Sequence, residues 1–145
     1  MSRPSSTLIY DRTQADITNE TAKGHFNASD LNRIEEWCSY LAETLTTLGY
    51  PVTITTKTDW VQTDMRTESA MSRVRNNIVA LVNAYYSLTH TVASQQYFDY
   101  EKCNNWEKIL HEIDVLISGM TAYYIDCGVA NCGQIRVYQN RFRRY

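Results

Sequence analysis

Proline and glycine are scarce, with two and five in 145 residues. Neither a collagen-like repeat nor a low-complexity linker can be built from so few. No apolar run approaches the roughly 18 residues that a membrane-spanning helix needs, so no membrane insertion is expected. The opening Met1-Ser2-Arg3-Pro4-Ser5-Ser6-Thr7 lacks the hydrophobic stretch of a secretory signal. Motifs of chemistry are missing too: there is no CxxC pair, no HExxH, no GxSxG, no P-loop and no GxGxxG. The three histidines, His25, His90 and His111, are scattered. No catalytic residue, metal site or cofactor is therefore expected, and the chain reads as non-enzymatic.

What is present suits one globular domain over residues 1–145. Hydrophobic residues make up 43% and charged residues 21%, enough to bury a core. Net charge is −2, but the last ten residues hold Arg136, Arg141, Arg143 and Arg144 with no acid, which leaves the rest at −6. Eleven tyrosines and sixteen threonines stand out. Tyrosine serves cores and contact surfaces alike, because its ring is large, stiff and amphipathic.

Three segments carry a helical period. From Ser29 to Leu48, the residues Leu31, Ile34, Cys38, Leu41, Leu45 and Leu48 are spaced 3, 4, 3, 4, 3, and Trp37 widens the stripe. Asn27 or Ser29 can cap its start, while Gly49 and Pro51 stop it. From Glu68 to Tyr86, the residues Met71, Val74, Ile78, Leu81 and Tyr85 repeat the pattern, with Thr67 as N-cap. From Tyr100 to Met120 it is Cys103, Trp106, Leu110, Ile113, Ile117 and Met120, with Asp99 as cap. Each such side chain is worth about 1.5–3 kcal/mol in transfer free energy. The expected fold is mainly α, a three-helix bundle over residues 29–120. The same stripes could instead join helices of neighbouring subunits.

Smaller β elements are expected around the bundle. Val52-Thr53-Ile54-Thr55-Thr56 alternates and is β-branched, which predicts a short strand. Ala122–Asp126 and Gln134–Tyr138 flank a glycine-containing loop and predict a C-terminal β-hairpin. A third helix running on into Tyr124 is the competing reading. Residues 1–26 read as a polar N-terminal arm with at most a short helix near Thr13–Thr21, and residues 121–145 as the hairpin and an Arg-rich tail.

Cys38 and Cys103 lie on apolar stripes and read as small core hydrophobes. Cys127 and Cys132 flank the hairpin loop, where a disulfide and free thiols both remain open. Glu35 and Glu36 point to different azimuths and read as a solvated face. His111 follows Glu107 by four residues and reads as its surface ion-pair partner. In the tail, Tyr138, Phe142 and Tyr145 interleave with arginines. Four charges on an otherwise acidic chain favour docking on a protein over nucleic acid.

One ordered set of short elements is distinctive: Asp11-Arg12-Thr13-Gln14-Ala15-Asp16, Lys23-Gly24-His25-Phe26-Asn27-Ala28-Ser29-Asp30-Leu31-Asn32-Arg33-Ile34-Glu35, Tyr40-Leu41-Ala42, Gly49-Tyr50, Lys57-Thr58-Asp59-Trp60 and Glu107-Lys108-Ile109-Leu110. Across residues 11 to 120 this order resembles a small domain family encoded in tail regions of phages and prophages of Firmicutes. Members commonly carry a longer segment between the first two elements, shortened here to Ile17–Ala22. The resemblance implies a virion component of the tail, baseplate or fibre region, made in the host bacterial cytoplasm. It would act by assembly with other virion proteins and with copies of itself. No catalytic residues come with it. Candidate interface residues are Asn32, Arg33, Trp60, Tyr138, Arg141, Arg143, Arg144 and Tyr145. Two alternatives are a host-surface glycan-recognition module using exposed aromatics, and a small nucleic-acid-binding regulatory protein using the Arg tail.

Overall fold

The computed structural model describes residues 1–84 and 91–126, with side chains as far as residue 120. The described residues are mainly helical and form four helices: α1 (Gln14–Thr18), α2 (Ala28–Thr47), α3 (Glu68–Ala84) and α4 (Tyr100–Asp126). None of them is long and apolar enough to cross a membrane. Two compact units divide the chain, Met1–Ile113 and Asp114–Tyr145. In the second unit the described residues are all α4, with Asp114 and Ile117 buried and Val115 and Leu116 exposed.

The helix ends follow from local chemistry. Asn27 caps α2 through a reciprocal pair: its carboxamide oxygen accepts from Ser29 N at 2.8 Å, and Asp30 Oδ2 accepts from Asn27 N at 2.9 Å. At the other end Gly49 sits at φ +94°. Tyr50 N donates to Leu45 O at 2.8 Å and Gly49 N to Thr46 O at 3.1 Å, which forms a Schellman closure before Pro51. Thr67 Oγ1 accepts from Ala70 N at the start of α3, and Asp99 Oδ1 accepts from Lys102 N at the start of α4.

Most of each predicted stripe is buried, while Leu48 and Met120 at the stripe ends are half-buried and Tyr85 lies outside the described residues. Leu31, Ile34, Cys38, Leu41 and Leu45 of α2 are buried, as are Met71, Val74, Ile78 and Leu81 of α3, and Cys103, Trp106, Leu110 and Ile113 of α4. Helices α2 and α3 pack directly on each other.

Two expectations change. Val52–Thr56 is extended, and its exposure alternates along the segment, yet no strand forms among the described residues. Its backbone bonds go to helix side chains in place of a ladder: Asn77 Oδ1 accepts from Thr55 N at 3.3 Å, and Asn77 Nδ2 donates to Thr55 O at 2.7 Å. Ala122–Asp126, the first arm of the expected hairpin, is the last part of α4, which is the longer-helix reading. The second arm, Gln134–Tyr138, and the loop with Cys127 and Cys132 lie outside the described residues. The N-terminal stretch is packed as well. Leu8 and Arg12 are buried, and Trp37 Nε1 donates to Ser6 O at 2.9 Å.

Gly24 marks the tightest approach in this stretch, because a Cβ there would lie 2.3 Å from Asp16 O. Gly24→Ala is expected to lower stability by about 1–3 kcal/mol. Gly119→Ala, in α4 with open space around it, is expected to add up to about 1 kcal/mol. Chemical denaturation of both variants checks the pair. A Gly24→Ala protein as stable as the parent would show that the close approach is not made.

Candidate functional site

By the helical period, Asp30 and Arg33 lie on one flank of the α2 stripe, and Asn32 and Glu35 on the other. Each flank anchors a buried polar network.

The first network joins the N-terminal stretch, α2 and α4. Arg12 Nη2 donates to Asp30 Oδ1 at 2.9 Å and to Glu107 Oε1 at 2.8 Å. Arg33 grips Glu107 with two donors, Nε to Oε2 at 2.9 Å and Nη2 to Oε1 at 2.8 Å, and also pairs with Asp30. Glu107 Oε2 further accepts from Ile9 N at 2.6 Å. The rest of the Arg12 guanidinium donates to the Lys23 and Ile9 carbonyls. Two cations and two anions thus meet with no net charge, and the Arg12 and Glu107 side chains are 1% and 0% exposed. Burial alone would lower the Arg33 pKa, but hydrogen bonding and attraction to Glu107, then Asp30, raise it above its ordinary value.

The second network centres on Glu35, which is fully buried. Arg73 forks onto it with Nη1–Oε2 and Nη2–Oε1 both at 2.6 Å. Trp60 Nε1 donates to Oε1 at 2.8 Å, and Lys57 N to Oε2 at 2.7 Å. The hydrogen bond to Glu35 raises the Arg73 pKa, against the opposing effect of burial. Lys57 Nζ lies 4.4 Å from the Trp60 ring centroid and pairs with Asp64.

A third device recurs beside them. Asn32 brackets Trp60, accepting from its N at 2.7 Å and donating to its O at 2.9 Å. Asn104 brackets Arg12 in the same way, at 3.1 and 2.8 Å, as Asn77 brackets Thr55. Asparagine can do this because its carboxamide carries the same donor and acceptor as a peptide unit.

Two sequence readings are corrected here. Glu35 is not part of a solvated face, since it accepts four bonds in the interior. Glu107 is not paired with His111 at the surface: it is buried between Arg12 and Arg33, and His111 stacks on Tyr10 at 4.9 Å. Of the candidate interface residues, Asn32 and Trp60 are brought together and Arg33 joins the other network. Trp60 is 7% exposed. Tyr138, Arg141, Arg143, Arg144 and Tyr145 lie outside the described residues. Arg12, Asp30, Arg73, Asn77, Asn104 and Glu107 were not singled out as site residues from sequence. The available signal was the ordered motif, which fixes Arg12, Asp30, Arg33, Glu35 and Glu107 in a chain without catalytic signatures.

Among the described residues no group of three or more His, Cys, Asp or Glu could hold a metal ion. No family model, curated protein or solved structure matches this chain.

Burial governs the thiols, and the networks add to it. Burial, then the nearby Glu35 charge, pushes the Cys38 thiol far above its usual value; burial and Glu107 do the same for Cys103. Iodoacetamide at pH 8 is expected to leave both unmodified in the folded protein and to label both in denaturant, as mapped by peptide mass spectrometry. Labelling of either in the folded state would contradict their burial. Glu107→Ala should cost about 3–5 kcal/mol, because it leaves the Arg12 and Arg33 guanidinium groups with Asp30 as their one shared carboxylate in a largely buried site. Glu35→Ala should cost about 2–3 kcal/mol, because Arg73 is a quarter exposed and can rehydrate. Urea denaturation gives the order, and equal losses would contradict it.

Proposed function

We propose that the chain is a non-enzymatic virion structural protein of a phage tail, baseplate or fibre region, acting through assembly with other virion proteins and with copies of itself. One observation carries this reading. The ordered elements that resemble the phage tail-region family turn inward and build the fold. Arg12, Asp30, Arg33 and Glu107 form one network; Glu35, Lys57 and Trp60 form the other, with Asn32 bracketing Trp60. Thr13 and Asp16 cap α1, and Asn27 caps α2. A motif whose side chains satisfy one another specifies a shape, and a shape repeated in copies is what a particle component supplies.

The extended segment supports an assembly role. Thr53 and Ile54 have no backbone hydrogen-bond partner among the described residues, and Val52–Thr56 is β-branched throughout. The backbone groups left unpaired at Thr53 and Ile54 invite strand addition by a neighbouring chain, which would make the segment the strand expected from sequence. The tail residues Tyr138, Arg141, Arg143, Arg144 and Tyr145 supply the second docking element of this reading, directed at an acidic surface.

Peptide mass spectrometry of purified particles from the source phage, quantified against the major capsid protein, tests the proposal. Tens of copies or fewer per particle are expected for a tail or baseplate component. Absence from particles would overturn the virion role and favour a regulatory one.

A further inference from the structure

An open cleft of about 560 Å3 lies between the Phe26 turn, the start of α3 and the turn over residues 95–98. Neither buried network uses its side chains. Its volume falls within the range of small-ligand sites, and its aromatic wall is tied to the core. Phe26 packs against Phe98 with ring centroids 4.8 Å apart, and Phe98 against the fully buried Trp106 at 4.5 Å. Ring contacts thus run from the cleft into the core. Arg66 Nη1 donates to Phe26 O at 2.7 Å, with the guanidinium carbon 5.3 Å from the Phe26 ring centroid.

Tyr97 is the anomaly of the site. The residue is 93% exposed and its backbone sits at φ +47°, a conformation that disfavours an aromatic residue. Lys102 Nζ holds the turn there by donating to the Gln96 and Tyr97 carbonyls. The protein therefore bears backbone strain to present a ring that packs on nothing, as happens where a side chain is displayed for a ligand.

The chemistry of the cleft selects the ligand. Exposed ring faces take the C–H face of a pyranose. Arg66, Glu68 and Gln96 are exposed, planar and two-pronged, and each can meet a pair of neighbouring hydroxyls. Arg66 and Glu68 cancel in charge, and the Lys102 ammonium is taken up by the Gln96 and Tyr97 carbonyls, so no cluster of cations awaits a phosphate or nucleic acid here. We propose that this cleft binds a neutral oligosaccharide, with Tyr97 stacked on a sugar ring and Arg66, Glu68 and Gln96 on its hydroxyls. The assignment goes beyond the virion role and rests on the cleft alone.

The full chain is tested on an array of neutral oligosaccharides built from hexoses, N-acetylhexosamines and deoxyhexoses, with calorimetric titration of each glycan retained. The parent is expected to bind at least one. Tyr97→Gly should weaken that binding at least about tenfold while leaving the melting temperature unchanged or higher, since glycine relieves the positive φ. Arg66→Ala should weaken binding as well. No binding of the parent to any neutral glycan would overturn the proposal, as would binding that Tyr97→Gly leaves intact. Tyr97-dependent binding of a proline-rich peptide in place of any glycan would also overturn it. Failure of the virion role reads out separately, in particle composition.

Discussion

Four clustered charges, three buried and one half-buried, hold the body of this protein in one arrangement. Arg12 comes from the N-terminal stretch, Asp30 and Arg33 from α2, and Glu107 from α4, so the cluster closes only when all three segments are in place. Taking a charge out of water is costly, and attraction offsets that cost only where geometry and hydrogen bonding are nearly complete. Here both oxygens of each carboxylate are occupied, with backbone N–H groups of Ile9 and Asn27 filling the positions left by the arginines. A slide of α2 against α4 by one turn would leave charges unpaired in the interior. Apolar stripes alone would tolerate such a slide far better, because their contacts are non-directional.

The Asn brackets solve a related problem. An extended segment laid over helices has backbone groups that need partners. The fold supplies Asn32, Asn77 and Asn104 as stand-ins for a neighbouring strand. With one side chain each, α2, α3 and α4 tie down Trp60, Thr55 and Arg12. Among the described residues the bundle thus organises its loops without building a sheet.

The long helices were legible because their stripes repeat every three to four residues and their caps use the few residues suited to the task. The interior of Met71, Val74 and Ile78, or of Cys103, Trp106 and Leu110, follows from spacing alone. Glu35 and Glu107 were not legible in the same way. A carboxylate next to an apolar stripe looks like a solvated flank until its distant partner is known, and Arg12 lies 95 residues from Glu107. Val52–Thr56 has strand propensity but, among the described residues, no strand to pair with, so long-range context decided against propensity. The cleft leaves no mark in the sequence because Phe26, Arg66 and Tyr97 come from three separate connections. Single aromatic residues in loops carry no period to betray them.

Native-state hydrogen exchange in the parent protein and in Arg12→Met tests the central claim most directly. If the charge cluster locks the N-terminal stretch to α2 and α4, the Ile9 and Arg12 amides exchange in the parent only on global unfolding, as slowly as the α2 core. In Arg12→Met they should exchange far faster than the α2 core amides, because the stretch then opens locally. Fast exchange of Ile9 and Arg12 in the parent, or protection unaltered by Arg12→Met, would contradict the account.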